Sequence, residues 1–145
     1  AVRFFFAATD VNSHLNFDLE LAKKQSSDNP VFYVQYAHAR ICSILEKTED
    51  QRLKTKVDLS SLTEPAEKEL ILKLLSWPDV VREAARGRHP HRITEYGKEL
   101  SATFHYFYEK CRVLGNPARI VLVNASRITL RNVLELLGIT APEKM

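Results

Sequence analysis

Cysteine is scarce in this 145-residue chain: only Cys42 and Cys111 occur, far apart and with no Cys-x-x-Cys pair. That excludes a disulfide framework and a thiolate zinc site, and leaves two buried free thiols in a reducing cytosol as the expectation. Histidine offers no zinc spacing. His89 and His91 flank Pro90, while His14, His38 and His105 are scattered, so no metal site is expected. The four glycines are isolated from one another, which rules out a phosphate-cradling Gly-rich turn. No apolar run approaches the ~18 residues of a membrane span, and no signal peptide is visible. Period-two alternation, internal repeats and low-complexity tracts are missing too, so strands are not expected. Glu67 and Glu69 pair carboxylates on what reads as a solvated helix face, and no catalytic residue is assigned.

What remains suits one helical domain with a real core: 45% of the residues are hydrophobic. The net charge is only +3, too weak to imply nucleic acid by itself. Its distribution says more. The segment from Arg82 to Arg131 is net positive and the remainder net negative, a polarity that can steer an anionic partner or form a solvated helical face.

The most informative stretch runs from Asn29 to Lys47. Asp28 or Asn29 can cap it, and Pro30 suits the first helical position, where its missing N–H would be unpaired anyway. Val34, Ala37, Ile41, Ile44, Leu45 and Thr48 recur at three- and four-residue spacing and predict a buried stripe. Tyr33, Tyr36, Arg40, Ser43 and Lys47 form a second column on another face. Phenols and cations in one column suit nucleic-acid bases and phosphates, but on composition alone the half-buried edge of a bundle with solvated cations is the simpler reading.

In chain order, Val2 to Ala8 reads as the end of a buried helix and Asp10 to Asn16 as a loop. Asp18 caps a short helix through Gln25, with Leu19, Leu21 and Ala22 inward. The charged run from Glu49 to Asp58 predicts a surface connection. Thr63 caps a helix whose core face is Leu70, Ile71, Leu74 and Leu75, and a shorter one from Pro78 to Arg86 turns Val80, Val81 and Ala84 inward. Gly87 stops it and Pro90 opens a long helix with the stripe Ile93, Leu100, Phe104, Phe107, Cys111 and Leu114, closed by Gly115. His105, Tyr108 and Arg112 line a neighbouring face, and Gly97 marks a close helix crossing. Asn116-Pro117 opens the last helix, with Ile120, Val123, Leu130, Val133, Leu134 and Leu137 inward, Arg127 and Arg131 outward, and Gly138 as its stop. The fold class is an all-α bundle of about five to seven helices.

Val34-Gln35-Tyr36-Ala37-His38-Ala39-Arg40-Ile41, preceded by Asn29-Pro30, resembles the opening helix of the anticodon-binding domain of arginyl-tRNA synthetases. Ala1-Val2-Arg3-Phe4 resembles the end of the motif that names that domain class. His14 to Ala22 is similar to the segment joining the family's catalytic domain to this one, and Gly138-Ile139 with Ala141 to Met145 resembles its last residues. The resemblance therefore runs the length of the chain, in the family's order. With no initiator Met and a first helix that starts without a cap, the sequence reads as a C-terminal piece: residues 1–28 as the tail of a catalytic domain and linker, 29–145 as the helical anticodon-binding domain.

The resemblance implies a part of an ATP-dependent arginine–tRNA ligase that holds the anticodon stem-loop of arginine tRNA. ATP and Mg²⁺ belong to the parent enzyme; the His-x-Gly-His and Lys-Met-Ser-Lys-Ser types of motif are missing here, so no cofactor is expected in this piece. By motif position, Tyr33, Tyr36, Arg40, Tyr108 and Met145 resemble the residues facing the anticodon. Lys47, Arg112, Arg127 and Arg131 are assigned phosphate contacts, with Arg119 a further candidate, and His38 and His105 are assigned packing or hydrogen-bonding roles. A cytoplasmic monomer, away from membranes and joined to its catalytic domain, is the implied setting. The alternative is a helical protein–protein interaction module without an RNA-binding role, which would show an exposed apolar patch instead.

Overall fold

The computed structural model describes residues 1–10, 13–14, 16–48 and 57–145. Seven α-helices lie among them: α1 (Val2–Ala8), α2 (Leu19–Lys23), α3 (Pro30–Glu46), α4 (Pro65–Leu75), α5 (Trp77–Gly87), α6 (His91–Lys110) and α7 (Pro117–Leu136). None of the described residues is in a strand. The charged run that opens at Glu49 lies outside the described residues up to 56; beyond it Asp58 caps a short 3₁₀ turn, Leu59–Ser61.

The helix starts follow local chemistry. Asn29 takes the α3 cap, its Oδ1 accepting from the Val31 N–H at 3.2 Å. Its Nδ2 donates to the Ala22 and Lys24 carbonyls, so this buried amide also ties α2 to α3. Asn116 and Asp18 cap α7 and α2 in the same way. At α4 the cap is Glu64 rather than Thr63: Glu67 Oε2 accepts from the Glu64 N–H at 2.8 Å, which sets the helix start one residue later. Helix α2 stops at Lys23 rather than Gln25, and none of its residues is buried. It is too short to present a continuous apolar face.

Helices α3, α6 and α7 pack on one another, with α4, α5 and α1 laid against α6. Val34, Ala37, Ile41, Ile44, Leu45 and Thr48 are all buried, as the α3 stripe requires. So are Ile93, Leu100, Phe104 and Phe107 of α6, and Ile120, Val123, Leu130, Val133 and Leu134 of α7. Gly97 sits at the crossing, where an added Cβ would lie 2.9 Å from Val133 Cγ1. Cys42 and Cys111 are buried free thiols.

Several faces differ from the sequence pattern. In α1 only Phe4 is buried, while Val2 and Phe6 are exposed, because one side alone of this short helix meets α6. Leu75 of α4 is exposed; Leu70 is buried, and Ile71 and Leu74 flank it. Helix α6 ends at Lys110 and Cys111 is extended, so Leu114 leaves the stripe and is exposed. The α5 stop is made by Arg88, which adopts the left-handed conformation (φ 57°), whereas Gly87 remains helical. Gly138 does end α7 with a positive φ of 66°.

Glu67 overturns the reading of a solvated carboxylate. It is fully buried, and its Oε1 accepts from Arg119 Nε at 2.6 Å. The Arg119 guanidinium also donates to the Arg112 carbonyl at 2.9 Å. The head of α4, the turn after α6 and the first turn of α7 are thereby joined, and Arg119 is committed to this internal network rather than to phosphate.

Candidate nucleic-acid interface

Residues 32, 33, 36 and 40 share one side of α3, and the packing of α3 on α6 sets them opposite residues 105, 108 and 109. Between them lies an open cavity of about 610 Å³ lined by Ser27, Phe32, Tyr33, Tyr36, Arg40, His105, Tyr108 and Glu109. Its walls are mainly ring faces. Phe32 lies nearly parallel to Tyr36, with centroids 6.1 Å apart. His105 is 5.5 Å from the Tyr33 ring and 6.4 Å from that of Tyr36. Arg40 holds its Cζ 5.2 Å above the Tyr108 ring, and among the described residues no carboxylate pairs with it. A flat π-system could enter between rings while an anionic group meets Arg40.

Burial raises the pKa of the Tyr33 phenol, so it stays a neutral donor and acceptor. His105 is pushed down by burial and then by the Arg40 charge, and is neutral at pH 7. On the far side of α3, burial lowers the pKa of His38 against the raising effect of its bond to Pro142. That bond, Nδ1 to the Pro142 carbonyl at 2.8 Å, makes Nδ1 the protonated nitrogen. A histidine whose folded pKa is depressed binds fewer protons folded than unfolded, so stability is lost as pH falls through the unfolded value, about 6.5, toward the folded one. Urea midpoints are therefore expected to drop between pH 7.5 and 5.5, less steeply in His38→Gln. Equal midpoints at the two pH values would contradict this.

Four of the sequence-assigned residues, Tyr33, Tyr36, Arg40 and Tyr108, thus meet in one cavity. The others do not. Met145 is exposed and is not part of the cavity lining; the tail leading to it is bonded to Gln35 and His38 on another side of α3. Arg127 and Arg131 border a second cavity with His38, Glu135 and Glu143; Arg127 is bonded to Asn124 and Arg131 to Glu135. Arg112 lies beyond the end of α6, outside the His105–Tyr108 column, and Lys47 is exposed at the end of α3. Sequence reading missed Phe32 and left His105 as a packing or hydrogen-bonding residue. Phe32 stands four residues before Tyr36, the spacing that places it on the same helix face.

The fold is that of a helical domain found in arginyl-tRNA synthetases: the Thermus thermophilus enzyme superposes with a TM-score of 0.82 at 33% identity, over 99% of this chain and 26% of that one. The Plasmodium falciparum arginyl-tRNA synthetase gives 0.78 at 27% identity, over 99% and 26%. The chain belongs to the DALR anticodon binding domain family, whose model matches residues 34–145. Arginine–tRNA ligases of Moorella thermoacetica and Heliobacterium modesticaldum are 53% and 51% identical to it, each aligned over 100% of this chain. The chain spans 28% of the length of these curated relatives. Among the described residues, no helix is long and apolar enough to cross a membrane.

Proposed function

We propose that this chain is the tRNA-binding portion of an arginine–tRNA ligase and that its aromatic cavity receives unstacked bases of the arginine tRNA anticodon loop. The observation that carries the reading is the cavity itself, with Phe32, Tyr33, Tyr36, His105 and Tyr108 as ring walls and Arg40 as the cation above Tyr108. Single-stranded loops can splay their bases onto such rings and offer phosphates to cations. Exposed Lys47 and Arg112, with Arg127 and Arg131 on the second cavity, are proposed phosphate contacts along the stem, and Met145 a contact from the tail. Residues 1–28 are proposed as the trailing part of a catalytic domain and its linker, and the whole as a cytoplasmic monomer. Activation of arginine, with ATP and Mg²⁺, falls to that catalytic domain.

Titrating labelled anticodon stem-loops at two salt concentrations tests this. Tyr36→Ala is expected to lose about 1–3 kcal/mol of cognate binding. Arg127→Ala is expected to weaken cognate and non-cognate loops alike and to lower the salt slope by about one. Equal affinity of wild type and Tyr36→Ala would reject base stacking, and an absence of RNA binding at low salt would reject the function.

A further inference from the structure

Two histidines and an aspartate that the RNA cavity does not use converge at the turn between α5 and α6. The left-handed Arg88 reverses the chain there, and the His89 N–H donates to the Ala84 carbonyl at 2.9 Å, which anchors the turn. His91 then begins α6, so the two imidazoles stand on either side of Pro90 with ring centroids 5.3 Å apart. Asp10 follows α1, which packs on α6. One ligand atom from each of Asp10, His89 and His91 lies within 4.8 Å of the other two.

We propose that Asp10, His89 and His91 bind a divalent transition-metal ion, with zinc the best match. The Nδ1 of His91 is 3.8 Å from Asp10 Oδ2, too far for a hydrogen bond. It is close to the separation of two ligands about one ion, roughly 3.3–3.5 Å for bonds of about 2.0–2.2 Å in tetrahedral geometry. Binding an ion would draw these two atoms together by a few tenths of an ångström. His89 supplies an independent observation: its Nδ1 is buried and has no hydrogen-bond partner. The ring is seated against Gly87, where a Cβ would lie 2.3 Å from His89 Cδ2. Glycine is what admits the imidazole in this position.

Two imidazoles and one carboxylate favour zinc and its neighbours over calcium or magnesium, which take oxygen ligands. Three protein ligands leave a coordination position for water. His91 also borders an open groove of about 390 Å³, beside Glu95 and Glu99, which gives an ion its route in. Arg92, next to His91, is neutralised by Glu83. A bound ion would tie the end of α1 to the head of α6, linking two parts of the chain that are about eighty residues apart.

The test is calorimetric titration of the chelator-stripped 145-residue chain with zinc chloride, repeated with cobalt(II) to read its visible absorption. One ion per chain is expected, with a rise in melting temperature on binding. Asp10→Asn and His91→Gln should each weaken binding tenfold or more and remove the cobalt spectrum, while His14→Gln leaves both unchanged. Asp10→Asn, at a partly exposed carboxylate, decides the matter should His91→Gln fail to fold. No saturable zinc binding, or binding equal in wild type and Asp10→Asn, overturns the proposal.

Discussion

Replacing Arg119 with alanine is expected to cost about 3–5 kcal/mol of folding stability, because it strands a buried carboxylate. The Glu67 side chain is wholly shielded from solvent, and that of Arg119 is only 18% exposed. One Glu67 oxygen serves the Glu64 N–H; the other has Arg119 Nε at 2.6 Å. Without the guanidinium, that second oxygen keeps its desolvation cost and loses its ion partner. The Arg112 carbonyl also loses a donor, so the turn between α6 and α7 is loosened at the same time. Urea denaturation of the single variants and of a Glu67→Leu/Arg119→Met double variant measures the effect. The double variant should recover most of the loss, since an apolar pair carries no buried charge. A loss below about 1 kcal/mol for Arg119→Ala would show that water already reaches Glu67.

Phe104→Ala is expected to destabilise the chain by a similar amount, about 3–5 kcal/mol, through lost burial and an unfilled hole. Phe104 is fully buried, and its ring lies 6.3 Å from Phe107 and 6.1 Å from Tyr108, nearly parallel to the latter. This residue is the floor on which one wall of the aromatic cavity rests. Its loss should therefore do two things: lower the urea midpoint, and weaken stem-loop binding even where the chain remains folded. Phe104→Leu keeps most of the volume and should show a smaller loss of both. Wild-type stem-loop affinity in folded Phe104→Ala would separate the Tyr108 wall from the core beneath it.

Much of the helical framework was legible because its signals are local. Asn29-Pro30 and Asn116-Pro117 each put a capping side chain and a proline where a helix must begin, and α3 and α7 begin there. A period of 3.6 residues then decides which side chains share a face, so the buried stripes of α3 and α7 and the Tyr33–Tyr36–Arg40 column could be read before any packing was known. Nothing local required Arg88 rather than Gly87 to take the left-handed turn, nor the helical pattern through Leu114 to stop at Lys110. The backbone itself records them: the His89 N–H closes onto the Ala84 carbonyl around Arg88, and Cys111 is extended after its N–H meets the Phe107 carbonyl.

The sequence by itself determined the α-helical class, the starts of α3 and α7, and the column of phenols and cations on α3, since each depends on residues within a turn or two of one another. Only the tertiary structure decided that Glu67 is a buried ion rather than a solvated one, for its partner lies 52 residues away. It likewise decided that Phe32 and His105 complete the aromatic cavity and that Arg127 and Arg131 face a different one. The reason is geometric: helical periodicity sets which residues share a face, but only the crossing of two helices sets what that face meets.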